Sequence, residues 1–245
     1  MPLVIAHRGA SAEAPENTFP AFDLALRQRA DGIELDVRLS LDGVPVVIHD
    51  ATLDRTTSGT GRVERHTAGE LRRLDAGSWF NRRYPEYARW RYRQARIPLL
   101  ADVMAWVKRR RSVAFVEIKS ARRGSAGMEA KVLDTIYRTG VENQITIISF
   151  DLATLRRLRQ LDSKIALGLD STRTLLLIRR SQSVGATTVL PHGAFASRRF
   201  IARARRAGLR VVPWGLETAS AMRRKLAEGV DGLITSHPAR LRRLL

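Results

Sequence analysis

Along the chain, short β-branched apolar runs alternate with longer amphipathic stretches. The runs fall at residues 3–6, 32–39, 44–49, 113–119, 145–149, 165–169, 188–190, 211–214 and 232–235. Each has a strand's length and composition. The stretches at 18–29, 101–110, 128–138, 152–161, 172–184, 197–207 and 219–228 carry apolar residues at helical spacing. Leu155, Leu158 and Leu161, for example, form the i, i+3 stripe of a helix that buries one face. Gly208 stands where the 197–207 helix should close, which suits a left-handed cap. Strand–helix repetition of this kind predicts a parallel sheet covered by helices. About eight such units predict a closed (β/α)8 TIM barrel. An open doubly wound sheet is the competing architecture, but no GxGxxG turn follows the first strand. Residues 51–96 break the rhythm. They are rich in Gly, Arg and aromatics, and read as an insertion after the second strand region, within one catalytic domain spanning 1–245. Such an insertion either shapes a substrate pocket or forms a small cap packed by its own aromatics.

Composition narrows the chemistry. Hydrophobic residues make up 44% of 245, enough for a sizeable core. There is no cysteine, so thiolate catalysis and Cys-based metal sites are excluded, and any metal must sit on His, Asp or Glu. The apolar run at the N-terminus ends at His7-Arg8, too short for a signal-peptide core, and no run approaches a membrane span. A cytoplasmic location is expected. The net charge is +19, and all but five of the 43 basic residues are arginine. Nucleic acid or an anionic membrane would be natural partners for such a charge. The arginines are dispersed over separate helix-like segments, which favours a solvated outer face. No nucleic-acid partner is therefore expected, although a weak contact with an anionic membrane suits the charge.

The strand at 32–39 contains Gly32-Ile-Glu-Leu-Asp-Val37. Residues two apart share a face, so Glu34 and Asp36 point one way while Ile33, Leu35 and Val37 point the other. In a barrel strand the acids face inwards, where two carboxylates need a positive partner. A divalent cation meets that need, and oxygen ligands suit Mg²⁺ or Ca²⁺. By the same parity Glu117 and Lys119 emerge together at the end of the 113–119 strand, adding a third carboxylate and an ammonium. His7 and His49 each close an apolar run, and so are read at the same end of the sheet as the acids. Two histidines across a phosphate can serve as general base and general acid, and Arg8 offers a fork for phosphate oxygens. His66, His192 and His237 lack such company and are read as structural.

The run HRGASAEAPENTFPAF, followed by GIELDVRLSLDGVPVVIHDATLDRTTSGTG, closely resembles the glycerophosphodiester phosphodiesterase family. So do LDAGSWF, RIP, VEIK, ISF and the Pro-Trp of VVPWG. The resemblance covers nearly the whole chain and is densest over the first 120 residues. It implies a (β/α)8 barrel with a small insertion, and one Ca²⁺ or Mg²⁺ held by Glu34, Asp36 and Glu117. It makes His7 and His49 catalytic, and Arg8, Lys119 and Trp214 substrate-contacting. Glu16 and Asn17 fall in the PENT loop and would brace the site from behind. Arg55 to Thr57 lie where the family's insertion begins. The implied reaction is hydrolysis of small glycerophosphodiesters, such as glycerophosphocholine or glycerophosphoethanolamine, to glycerol 3-phosphate and an alcohol. Lysophospholipid headgroup cleavage on the same site is the alternative, and an Arg-rich nucleic-acid binder on a dead scaffold is a more distant one. Two departures stand out. Trp214 is followed by Gly-Leu-Glu where the family often has Thr-Val-Asn, and Ser236 stands where an Asp is usual, though a serine can also cap a helix. The sequence leaves open the preferred alcohol, the metal, the roles of the two histidines and the oligomeric state.

Overall fold

A computed structural model describes residues 1–119 and 127–245. Its strands are β1 (Leu3–His7), β2 (Gly32–Leu39), β3 (Pro45–Val47), β4 (Val113–Ile118), β5 (Ile145–Ser149), β6 (Ala166–Ser171), β7 (Thr188–Pro191), β8 (Arg210–Val211) and β9 (Gly232–Thr235). The helices are α1 (Phe19–Arg27), α2 (Ala68–Leu71), α3 (Ser78–Arg83), α4 (Leu100–Arg110), α5 (Met128–Thr139), α6 (Leu152–Leu161), α7 (Leu177–Gln182), α8 (Arg198–Arg206), α9 (Ala219–Ala227) and α10 (Pro238–Arg242). Eight strands pair in parallel in the order β8-β7-β6-β5-β4-β2-β1-β9. The remaining gap is bridged by Asp231 N–H donating to Val211 O and Ile234 N–H to Pro213 O, both at 2.9 Å. The result is a nearly closed TIM barrel, as the alternation of runs and stretches predicts.

Strand parity divides the apolar residues into two layers. Val4, Ala6, Ile33, Leu35, Val37, Val116, Ile118, Leu167 and Leu169 point outwards and join the helices in the main core. Ile5, Phe115, Ile148, Leu190, Val212 and Ile234 point inwards and plug the barrel. The plug matters for the site because it forms a dry floor beneath whatever emerges at the C-terminal mouth.

β3 is not a stave of this barrel. It pairs antiparallel with β2, in the register Val37↔Val47 and Leu39↔Pro45. The physical reason is the short link from Ser40 to Val44, closed by Ser40 N–H to Val44 O at 3.1 Å. Parallel pairing needs a crossover of a dozen or more residues, so this link permits only a hairpin. β3 therefore runs back towards the barrel and delivers His49 to the mouth from outside.

Other differences from the sequence reading are local. Helix α7 begins at Leu177 and not near Thr172, because Leu176 is left-handed (φ 60°) and cannot continue a right-handed helix. β8 stops at Val211, two residues short of Pro213, which has no N–H for the ladder. Ser236 does not cap α10. That position belongs to His237, and Ser236 Oγ donates instead to Glu217 Oε1, at 3.3 Å. The carboxylate of Glu217 also accepts from Thr235 Oγ1, at 2.9 Å, and so gathers this turn to itself. Gly208 follows α8 with φ 77°, the left-handed conformation its place suggests.

Between β3 and α4 the chain folds into α2, α3 and three short 3-10 turns. Thr67 and Glu70 cap α2 reciprocally. Leu53, Val63, Ala68, Leu71 and Ala76 pack on Val46 and Ile48 of the hairpin. Phe80 and Tyr92 pack on Ala14 and Ala21 beside α1. Phe80 meets Trp79, Tyr84 and Tyr92 at ring separations of 4.9–5.9 Å, so these aromatics mostly pack on one another. Gly77 lies where an added Cβ would sit 1.8 Å from Tyr92 O. Gly77→Ala should therefore force these backbones apart and lower stability by about 1–3 kcal/mol, read as an earlier urea midpoint. An unchanged midpoint would contradict this packing.

Candidate active site

Parity and chain turns bring the candidate residues to one mouth. Glu34 and Asp36 rise from the inner face of β2, and Glu117 from the neighbouring β4, in the register Asp36↔Glu117. The three are 2%, 0% and 7% exposed, and ligand oxygens from each lie within 4.8 Å of one another. Three carboxylates this close and this buried repel one another strongly. Burial, then repulsion from Asp36 and Glu117, pushes Glu34 well above the usual carboxylate range. Burial and Asp36 raise Glu117 to about 7. Burial opposes the charge of Asp36 too, yet Lys119 and Arg8 hold its pKa below the usual range.

The compensating cations are fixed by geometry. Lys119 Nζ lies 2.9 Å from Asp36 Oδ1 and 2.7 Å from Glu117 Oε1. Arg8 Nε lies 3.1 Å from Asp36 Oδ2. Arg8 reaches it because the chain turns sharply after β1: Arg8 has φ 55°, a conformation disfavoured in most residues. The turn also aims the Arg8 N–H at Glu34 Oε2, at 3.0 Å. Gly9 (φ 82°) completes the turn against α1, where a Cβ would meet Ala21 at 2.6 Å. Asn17, left-handed as well, donates from Nδ2 to Asp36 Oδ2 at 2.7 Å. Glu34 Oε1, by contrast, is buried with no hydrogen-bond partner among the described residues. An orphaned oxygen among three carboxylates of elevated or strained charge fits a hard divalent cation, and the all-oxygen donor set suits Ca²⁺ or Mg²⁺.

The histidines flank this cluster. His7 ends β1 with Nε2 3.9 Å from Glu34 Oε2. Burial and the adjacent Arg8 lower it to about 4, so it is neutral at pH 7. His49 is also lowered by burial, but Asp50 opposes this through a 2.6 Å hydrogen bond to Nδ1. Asp50 is an ionised acceptor, so Nδ1 carries the proton and Nε2 is the ring nitrogen left for chemistry.

Arg55, from the insertion, ties the two sides together. Its Nε donates to Asp50 Oδ2 at 2.6 Å, and its terminal nitrogens donate to both Glu16 oxygens at 2.7 and 2.8 Å. Glu16 in turn accepts from Arg8 at 2.9 Å. A continuous chain of charged contacts thus runs from His49 through Asp50, Arg55, Glu16 and Arg8 to Asp36.

His7, Arg8, Glu34, His49, Glu117 and Lys119 border a cavity of about 140 Å³. Its other wall is Ile148, Phe150, Asp170, Trp214 and Ile234. Trp214 donates from Nε1 to Leu190 O at 3.0 Å and sits edge-to-face against His192 and Phe150. Asp36, Glu16 and Asn17 lie behind this lining, as does the insertion, which contributes Arg55 and no wall. Three polar participants are absent from the sequence reading of the site: Asp50, Arg55 and Asp170. Asp170 was accessible by parity, since Gly168 and Asp170 share a face at the end of a strand. Arg55 was not, because its partners lie 5 and 39 residues away.

Known proteins resemble this chain over nearly its whole length. The model of the Glycerophosphoryl diester phosphodiesterase family matches residues 7–240. The chain is 35% identical over 240 residues to a glycerophosphodiester phosphodiesterase of Caldanaerobacter subterraneus, covering 98% of this chain and 96% of that protein. A glycerophosphodiester phosphodiesterase of Bacillus subtilis is 31% identical over 254 residues, covering 96% and 84%. The crystal structure of a glycerophosphodiester phosphodiesterase from Agrobacterium tumefaciens superposes with a TM-score of 0.83 at 32% identity, over 98% of this chain and 99% of that one. A phosphodiesterase from Oleispira antarctica, solved with the product sn-glycerol-3-phosphate, superposes at 0.86 with 27% identity, over 100% and 96%. A barrel whose mouth joins three carboxylates, two histidines and two cations is the setting that phosphodiester hydrolysis needs, and the chain belongs to the glycerophosphoryl diester phosphodiesterase family as an enzyme of that activity.

Proposed function

We propose that the chain hydrolyses small glycerophosphodiesters in a metal-dependent reaction, with His7 as general base and His49 as general acid. The observation that carries this is the asymmetry of the two histidines around one carboxylate cluster. Glu34, Asp36 and Glu117 would hold a Ca²⁺ or Mg²⁺ ion. Bound there, the ion supplies Lewis-acid polarisation of a phosphoryl oxygen and offsets the crowded negative charge.

The protein's own groups do the rest. Arg8 and Lys119 set two positive charges beside the carboxylates, where they neutralise phosphate oxygens. Glu16 and Asn17 hold Arg8 and Asp36 in place. His7, neutral and bordering the cavity, takes the proton from the nucleophile, either water or the neighbouring glycerol hydroxyl. His49, once protonated on both ring nitrogens, gives the Nε2 proton to the departing alcohol oxygen, and the bond from Nδ1 to Asp50 supports that charged form against the burial that disfavours it. The apolar plug beneath them keeps water from screening these charges.

A second reading, cleavage of lysophospholipid headgroups, has one observation in its favour. Phe150, Leu175, Leu176 and Phe195 are 46–81% exposed and lie on the loops following β5, β6 and β7, at the same mouth. A faster rate on lysophosphatidylcholine than on glycerophosphocholine would select it. No helix among the described residues is long and apolar enough to cross a membrane.

Replacing either histidine by alanine should lower kcat on glycerophosphocholine by roughly 10²–10⁴-fold. The two losses should differ on a diester with a 4-nitrophenolate leaving group, which departs without a proton. There His49→Ala should lose far less than His7→Ala, and equal losses would reverse or remove the assignment. Metal binding should also be proton-linked. Glu117, with its pKa raised to about 7, must be ionised to act as a ligand, so affinity for Ca²⁺ should weaken as pH falls through 7. Calorimetry should show at least a roughly tenfold weaker Kd at pH 5.5 than at pH 8. Full activity in excess chelator would exclude the metal.

A further inference from the structure

The proposed reaction uses one wall of the cavity and leaves the other with a buried acid that it does not employ. Asp170 sits on the inner face of β6, opposite β1 around the ring of strands. Its neighbours Leu167 and Leu169 point outwards into the main core. Asp170 is 6% exposed and borders the cavity, and its Oδ1 has no hydrogen-bond partner among the described residues. It lies outside the three-carboxylate cluster. Burial, then repulsion from Glu117, pushes its pKa well above the usual carboxylate range, so the carboxyl takes up its charge when a cation is placed beside it. A buried carboxyl with an unused acceptor is costly unless a ligand completes it.

The surroundings define that ligand. Phe150 and Trp214 stand at 82° to each other with ring centroids 5.8 Å apart, as adjoining walls of a corner. Ile148 and Ile234 line the same side. The indole N–H of Trp214 is given to Leu190 O at 3.0 Å and also favours the charged form of Asp170 beside it, so it is engaged within this wall. This wall therefore presents aromatic and aliphatic surface and one acidic acceptor. A glycerol diol has O–H donors and lone pairs that both need partners, and the groups able to serve both lie on the opposite wall. An alkylammonium is the complement of the Asp170 wall: a positive charge clothed in methyl or methylene groups, suited to aromatic rings and a single carboxylate.

We propose that Asp170, Phe150 and Trp214 form a subsite for a positively charged alcohol, so that diesters of amino alcohols of the choline and ethanolamine type are preferred over neutral ones. The inference rests on the diester-hydrolase reading above and assigns the second half of that site. Asp170 acts here as a specificity determinant and takes no part in bond cleavage.

The test compares glycerophosphocholine with the neutral-headed glycerophosphoglycerol, using metal-loaded enzyme and measuring released glycerol 3-phosphate. The wild type should favour the cationic diester by roughly tenfold in kcat/KM, the size expected of one partly desolvated cation–aromatic and charge contact. In Asp170→Asn that ratio should fall to near one, through a higher KM for glycerophosphocholine and little change in its kcat. A variant-free arm accompanies it: tetramethylammonium should inhibit the wild type competitively, and sodium at equal ionic strength should not. An unchanged ratio in Asp170→Asn, an equal loss on both diesters, or no effect of tetramethylammonium would overturn the subsite while leaving the hydrolase reading intact. Failure of the metal-loaded wild type to hydrolyse either diester would overturn the hydrolase reading itself, and the subsite with it.

Discussion

The structure turns on one electrostatic constraint: three carboxylates are buried together above an apolar barrel plug. Isolated, each would be strongly driven to take up a proton. Everything at the mouth answers that constraint. Lys119 and Arg8 are drawn into contact with Asp36, the left-handed turn at Arg8 makes its reach possible, and Asn17 fastens the same carboxylate from a third side. The compensation is incomplete, since Glu34 keeps an oxygen with no partner among the described residues. That shortfall marks a site arranged for a ligand and not for stability alone, in line with the general clustering of strain and shifted ionisation at functional centres.

The two histidines then differ because they meet this charge from different supports. His7 is the last residue of a barrel stave, fixed beside Glu34 and deprived of its proton by burial. His49 arrives on a hairpin from outside, with Asp50 attached to its far nitrogen. The insertion, which sequence composition presents as a candidate pocket wall, instead acts at a distance. Trp79, Phe80, Tyr84 and Tyr92 pack on one another and beside α1, while Arg55 enters the network, clamping Asp50 and Glu16. The protein's large positive charge is spread over helices such as α6 and α8, and a net charge of this sign favours the approach of anionic ligands.

Much of this was legible in the sequence because period-two alternation is a strict geometric rule. It separates Glu34 and Asp36 from Ile33, Leu35 and Val37, and Glu117 from Val116 and Ile118, as the two apolar layers show. Alternation carries no information about direction, so β3 was indistinguishable from a stave until the length of its link to β2 was considered. Backbone signs were likewise mostly hidden: asparagine is one residue that enters the left-handed region readily, but nothing in Arg8 or Leu176 marks a residue bound for it. Long-range pairing was least legible. The joining of Arg55 to Glu16 depends on how the insertion folds back, and the redirection of Ser236 to Glu217 depends on a neighbour 19 residues away.

The β2–β3 hairpin has a consequence for how this mouth can vary. Ile48 N–H donates to Asp36 O at 3.0 Å, one step beyond the Val37↔Val47 pair. His49, the next residue along, and a carboxylate of the central cluster are thereby held within one residue of the same rung of a two-stranded ladder. The hairpin works as a ruler whose graduations are single residues. A slip by one would send His49 to the opposite face, with no intermediate position available. Length changes can be absorbed in the turn around Gly43, outside the paired rungs, but not between Pro45 and His49. The same ladder that lets the loop beyond it grow into a folded insertion also insulates the reaction centre from that growth.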